Sequence, residues 1–221
     1  MQLSKLTTDL MKNFAAINSN FLIRPGTKQK TVSETRDILA IVDLEEDMPK
    51  EAGIFNMNEF LGVISLFNKP EFDFDDKFVT IEEGNNKIKY VYADVSCITT
   101  PSKDLVFPTP EISFDITQDQ LNRMQKVSSA LSVGDIVFIG DGKSIKAKIF
   151  DVKNPTSNTY ELEMDASTDN EFEVYFKLDK LSKLFGGSYT LNISSKKIGQ
   201  FVHKDIDLTC YISVEANSKF E

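Results

Sequence analysis

An α+β chain built from two similar halves is what this sequence predicts. Most of it alternates apolar and polar residues at period two between Gly, Asn and Asp turns. KFVTIEEGNNKIKYVYADV, DIVFIGDGKSIKAKIFDV and SYTLNISSKKIGQFVHKDIDLTCYISV all show this pattern of antiparallel hairpins and meanders. A few segments keep helical period instead. The order helix, several strands, short helix, several strands then runs through the chain twice.

From the N-terminus, Leu3, Leu6, Leu10, Phe14 and Ile17 recur every three or four residues and predict a helix over 3–17. Strands follow, then a shorter helix at 57–67, MNEFLGVISLF, and more strands. The stretch TTPSKDLVFPTPE has three prolines in thirteen residues and reads as an extended connector. Domain boundaries are therefore expected at 1–100, 101–110 for the connector, and 111–221. In the second half Leu121, Met124, Val127 (or Ser128) and Leu131 mark a helix over 118–131, with Thr117 as N-cap and Gln120 three residues on in a capping-box pattern. Strands are expected near 135–141, 144–151, 159–164 and 170–176, then a helix at 177–185 stopped by Gly186-Gly187, then closing strands.

Charge is divided unevenly over these elements. The 221 residues carry a net −9, which argues against general adhesion to nucleic acid. Yet helix 3–17 has Lys5 and Lys12 against Asp9, helix 118–131 has Arg123 and Lys126 against Asp119, and helix 177–185 has Lys177, Lys180 and Lys183 against Asp179. With Glu59 alone on helix 57–67, the four helices hold +3 and the remainder −12. Lysines on a solvated helix face are ordinary. Their gathering on the few helices of a repeated, acidic, β-rich chain suits a molecule that offers only its helices to the phosphates of duplex DNA.

Other chemistry finds little support. GDGKS at 140–144 resembles the end of a phosphate-binding loop, but Val137 stands where that pattern needs Gly, and a strand follows, so a hairpin turn is expected. His203 is the only histidine, expected at the surface of an alternating strand, and gives no basis for a multi-histidine metal site or a catalytic triad. The acidic clusters LEEDMPKE and EFDFDDKF lack the spacing of a calcium loop and read as solvated turns. No catalytic residue, metal or cofactor is expected. Cys97 and Cys210, each in a run that looks like a strand, are expected as buried free thiols. No apolar run approaches the roughly 20 residues that span a bilayer, so no membrane partner is expected.

The residues also carry a family resemblance. In the first helix, Leu3-Ser4-Lys5, Thr8, Lys12-Asn13-Phe14-Ala15 and Ile17-Asn18-Ser19 resemble the DNA sliding clamps, or polymerase processivity factors, of T4-like bacteriophages. Phe60-Leu61-Gly62 and Ser65-Leu66 resemble that family's second helix. Leu121, Lys126-Val127-Ser128 and Leu131 follow its third, and GSYTLNI and YISVEANSKFE its closing strands and tail. Segments 27–50 and 140–175 match in predicted structure only.

The resemblance implies a clamp fold. In it, sheets lie outside and two helices per domain inside, and three two-domain subunits form a six-domain ring around duplex DNA. It implies that Lys5, Lys12, Arg123 and Lys126 face DNA, with Lys180 and Lys183 as companions. Arg123 departs from the uncharged residue expected there in the family, and its role rests on helical geometry. It implies a head-to-tail interface, expected between TYELEM, with Tyr160 and Leu162, and a strand near Cys97-Ile98. It also implies a partner-peptide pocket near the connector, for which Leu105, Val106 and Phe107 are candidates; packing of the connector onto the sheets is the other reading of that run. Implied partners are a DNA polymerase, an ATP-driven clamp loader and late transcription factors, in the cytoplasm of an infected bacterium. The rival readings are a non-catalytic phage structural or assembly protein, and a nuclease or phosphotransfer enzyme using the acidic clusters.

Overall fold

Ser4 starts the first helix, α1 (Lys5–Ile17), by accepting a hydrogen bond from the Thr7 amide. The structure is a computed structural model describing residues 1–101 and 105–220; residues 102–104 of the expected connector, and Glu221, lie outside the described residues. The chain divides into two compact units, Met1–Asp104 and Leu105–Glu221.

In the first unit α1 buries Thr7, Leu10, Met11, Phe14 and Ile17. Strand β1 (Phe21–Ile23) is followed by the hairpin of β2 (Gly26–Val32) and β3 (Ile38–Met48), and β4 (Ala52–Ile54) returns to pair with β1. Glu46 of β3 accepts from the Ser4 amide and the Thr7 hydroxyl, which ties the start of α1 to the sheet. At the other end of the helix, the buried Asn18 amide donates to the carbonyls of Val32 at 2.8 Å and Thr99 at 3.2 Å. Burying that amide is tolerable because its donors are satisfied.

Helix α2 (Met57–Ile64), capped by Asn56, packs beside α1. It stops three residues short of the expected 67, where single turns at Leu66 and Phe67 replace the α-helical ladder. The unit closes with the meander β5 (Glu71–Phe74), β6 (Phe78–Glu83) and β7 (Asn86–Val91), in that spatial order.

The second unit repeats the order after an added strand, β8 (Ile112–Ile116). Helix α3 (Gln118–Leu131) carries both halves of the capping box, Thr117 and Gln120. Four strands follow: β9 (Asp135–Asp141), β10 (Ser144–Phe150), β11 (Tyr160–Ser167) and β12 (Glu171–Lys177). After the single-turn helix α4 (Leu178–Leu181) come β13 (Tyr189–Ser194), β14 (Ile198–His203), β15 (Leu208–Ser213) and β16 (Lys219–Phe220). One sheet has the order β11-β10-β9-β12-β16, and β8-β13-β14-β15 are neighbours in another. Between them runs a chain of edge-on rings, Phe114 to Phe138 at 5.3 Å, Phe138 to Phe176 at 6.1 Å and Phe176 to Phe201 at 5.8 Å.

Several expectations are corrected here. The helix expected at 177–185 is α-helical only over Leu178–Leu181, because looser turns at Lys183 and Leu184 follow. The cluster LEEDMPKE is mostly the end of β3, and EFDFDDKF begins with β5, whose Phe72 and Phe74 are buried; strand pairing explains both better than solvated turns. His203 is not a surface residue. It is only 7% exposed, with Nδ1 accepting from the amides of Asp205 at 3.0 Å and Ile206 at 3.3 Å. That leaves the proton on Nε2, which donates to the Gly186 carbonyl at 3.0 Å. Gly187, at φ +147°, lies so close beneath the imidazole that any Cβ there would overlap it.

Cys97 also departs from expectation, since it ends a 3-10 turn (Val95–Cys97) and is exposed. Cys210 is buried in β15, and burial pushes its thiol up to about 12. A thiol reagent at neutral pH should therefore modify Cys97 quickly and Cys210 only after unfolding. Mass spectrometry of a native labelling time course checks this, and equal rates would contradict the placement.

Candidate nucleic-acid interface

Helical geometry places Lys5 and Lys12 two turns apart on one side of α1, opposite the buried Leu10, Phe14 and Ile17, and both are exposed. Their Cα atoms lie about 10 Å apart along the axis at 1.5 Å per residue. Asp9 stands between them, and the Lys12 ammonium bonds its carboxylate at 2.9 Å. On α3 the arrangement recurs: Leu121 and Met124 are buried, while Arg123 and Lys126 are exposed one turn apart. A shallow groove beside Lys126 is lined by the small or polar side chains of Asn122, Gln125, Ser129 and Ala130. Each unit thus offers cations from a helix whose other side is committed to the core.

The α4 pair differs. Lys180 is 15% exposed at its side chain, and its ammonium bonds Ser213 Oγ and a Glu215 carboxylate oxygen, both at 3.1 Å. Its charge fastens α4 to the segment after β15, which leaves it little to offer a phosphate. Lys183 lies half-buried in the turn beyond. Lys177 is likewise committed, its ammonium bonding the nearly buried Asp135, an interaction that raises its pKa.

Alternation missed one basic feature, because it lies in a loop. A cleft of about 520 Å³ opens between α1 and the connection from α2 to β5. Lys5, Asp9 and Lys12 form one wall, Leu61 and Ile64 the other, and Lys69 stands in the connection.

The second candidate surface is a pair of sheet edges. The expected strand at Cys97-Ile98 does not exist: Ile98 is buried, and the last strand of the first unit is β7, an edge of its meander. Residues Lys87 and Lys89 alternate along β7 with Ile88 and Tyr90, and Val91 is 64% exposed. Tyr160 and Leu162 lie on β11, an edge of the five-stranded sheet, and alternate with Glu161 and Glu163. One edge is basic and the other acidic, at the same period. A comparison of the charges in KIKYV and YELEM would have found this complementarity.

At the connector, Phe107 packs its ring 6.0 Å from Tyr211, which supports the packing reading for that residue. Leu105 is half-buried, and Val106 is 89% exposed. GDGKS is a hairpin turn between β9 and β10, with Gly142 at positive φ and Asp141 accepting from the amides of Lys143 and Ser144. Among the described residues, no three His, Cys, Asp or Glu side chains are placed to hold a metal ion, and no helix is long and apolar enough to cross a membrane.

No family model matches the chain. The sliding clamp of Vibrio phage KVP40 is 29% identical over 223 residues, covering 98% of this chain and 100% of the relative. The sliding clamp of Enterobacteria phage T4 is 27% identical over 230 residues, covering 99% and 98%. Among solved structures, A. fulgidus PCNA bound to the C-terminal region of FEN-1 superposes with a TM-score of 0.73 at 13% identity, covering 99% of this chain and 100% of that one. The H. pylori beta clamp superposes with a TM-score of 0.70 at 13% identity, covering 95% of this chain and 63% of that one.

Proposed function

We infer, from a chain that is a homologue of the sliding clamps of T4-like phages along nearly its whole length, that this protein encircles duplex DNA and tethers the replicative DNA polymerase for processive synthesis. The observation that carries this reading is homology across both units together with the clamp fold, on a chain whose exposed helical cations stand out from an acidic whole.

Binding is topological in this reading. Lys5, Lys12, Arg123 and Lys126 touch phosphates without reading sequence, with Lys183 as a companion. The contacts stay weak and bridged by water, because strong phosphate contacts would stop sliding. Three subunits close a six-domain ring through heterologous contacts, β7 of one against β11 of the next. Antiparallel addition there joins two unpaired backbone edges. It sets Lys87 and Lys89 against Glu161 and Glu163, and Ile88 and Tyr90 against Tyr160 and Leu162.

The protein is non-catalytic and works inside the infected bacterium. An ATP-driven loader opens the ring, and late transcription factors share it as a mobile platform. Partner peptides seat on the apolar surface around Leu105 and Val106, beside Phe107. The reading is tested by primer extension with the phage polymerase and loader on a circular template, and by counting retained protein on circular and linear duplexes. Processive synthesis and retention that ends when the circle is cut are expected. Equal retention on both templates, or synthesis indifferent to the protein, would favour a structural or assembly protein.

A further inference from the structure

We propose that the cleft between α1 and the connection from α2 to β5 is a docking site for the duplex backbone, in which Lys69 acts with Lys5 and Lys12, and Asp9 competes with phosphate for Lys12. The proposal rests on the clamp reading and names a site within the first unit that carries part of the DNA contact.

The two walls of the cleft differ in chemistry. Lys5 and Lys12 line the α1 side about 10 Å apart, close to three steps of a DNA strand that rises about 3.4 Å per phosphate. Facing them, Leu61 and Ile64 of α2 offer no hydrogen bond, and the polar groups on that side are Ser65 at the helix end and Asn68 beyond it. Lys69 does not hang from a loose loop. The amides of Asn68 and Lys69 both donate to the Glu83 carboxylate, at 3.0 and 2.9 Å, which fixes the connection against the end of β6 at the mouth of the cleft. A fixed backbone lowers the ordering entropy that a lysine loses on meeting a phosphate. The cleft therefore gathers three ammonium groups around one carboxylate on a chain of net −9.

Asp9 gives the site its looseness. Its carboxylate already holds the Lys12 ammonium at 2.9 Å, so a phosphate gains that cation only by displacing an internal anion. Both states of Lys12 are then paired, and the difference between them is small. A duplex can move from contact to contact without meeting a deep minimum, which a ring that slides requires.

The experiment measures binding of the full-length protein to a short fluorescent duplex by anisotropy across a salt series, with circular dichroism confirming that each variant is folded. Lys69→Ala is expected to weaken binding roughly fivefold at low salt and to flatten the salt dependence by the loss of about one phosphate contact per site. Asp9→Asn is expected to strengthen binding about threefold, because Lys12 then has no internal anion to leave. Lys126→Glu, on the other unit, is the reference for the clamp reading and should weaken binding. Wild-type behaviour of either cleft variant while Lys126→Glu weakens binding overturns the cleft and leaves the clamp reading standing. Wild-type behaviour of Lys126→Glu overturns the DNA reading, and the cleft proposal with it.

Discussion

Charge reversal at Lys12 and Lys126 together should leave the chain folded and assembled and abolish most of its direct affinity for duplex DNA. Both side chains lie on exposed helix faces, away from the cores built on Phe14 and Met124, so the expected loss of stability is within about 0.5 kcal/mol. In the proposed ring the effect is multiplied over three subunits, and every phosphate contact removed is also replaced by a repelling carboxylate. With roughly six contacts at stake, the affinity of the assembled ring for a short linear duplex, where topology holds nothing, should fall about 100-fold or more, and the salt dependence should flatten. Fluorescence anisotropy across a salt series measures this directly. Unchanged affinity in a folded, assembled variant would show that these helices do not face DNA.

The second large effect concerns closure of the ring. Lys87→Glu with Lys89→Glu turns two attractive cross-strand pairs at the proposed β7–β11 edge into repulsive ones. Each opposed pair changes by up to about 1 kcal/mol in either direction, so each interface should weaken by roughly 10- to 100-fold in dissociation constant. Sedimentation equilibrium over a wide concentration range should then show monomer where the natural chain is expected to show a self-limiting trimer. Reversing the facing residues as well, Glu161→Lys with Glu163→Lys, should restore assembly. Lys87 also bonds Glu82 at 3.2 Å, and Lys89 covers the Phe78 ring at 3.7 Å. Restoration by the four-residue swap is therefore the decisive result, since local damage within the meander would not be repaired from another subunit. Glu161 bonds Lys148 at 3.4 Å, and Glu163 stands opposite Lys146 on β10; failure of the swap in a chain that circular dichroism shows to be folded would move the interface away from these edges.

Much of the architecture was legible in the sequence because it rests on local physics. Periodicity of 3.6 or 2 decides which face a helix or strand buries, so the limits of α3 could be read from its capping box and those of β9, β10 and β12 from their alternation to within a residue. The exposed faces bearing Lys5, Lys12, Arg123 and Lys126 follow from the same arithmetic, as does the hairpin at GDGKS. Tertiary structure decided whatever depends on partners distant in sequence. Lys180 looked like its neighbours on a basic helix until Glu215, 35 residues on, was found to hold it. His203 sits at an alternating position, and only the turn at Gly186 and the amides of Asp205 and Ile206 make it an interior, fully bonded ring. Cys97 shows the opposite failure, since its apolar neighbours suggested a strand where Asp94 caps a 3-10 turn. Lys69 escaped notice because a loop has no period, and its place was set by Glu83 across the chain. Local pattern determines which side of an element faces water; which charges remain available on that side is settled only by the long-range contacts that neutralise some and hold others in place.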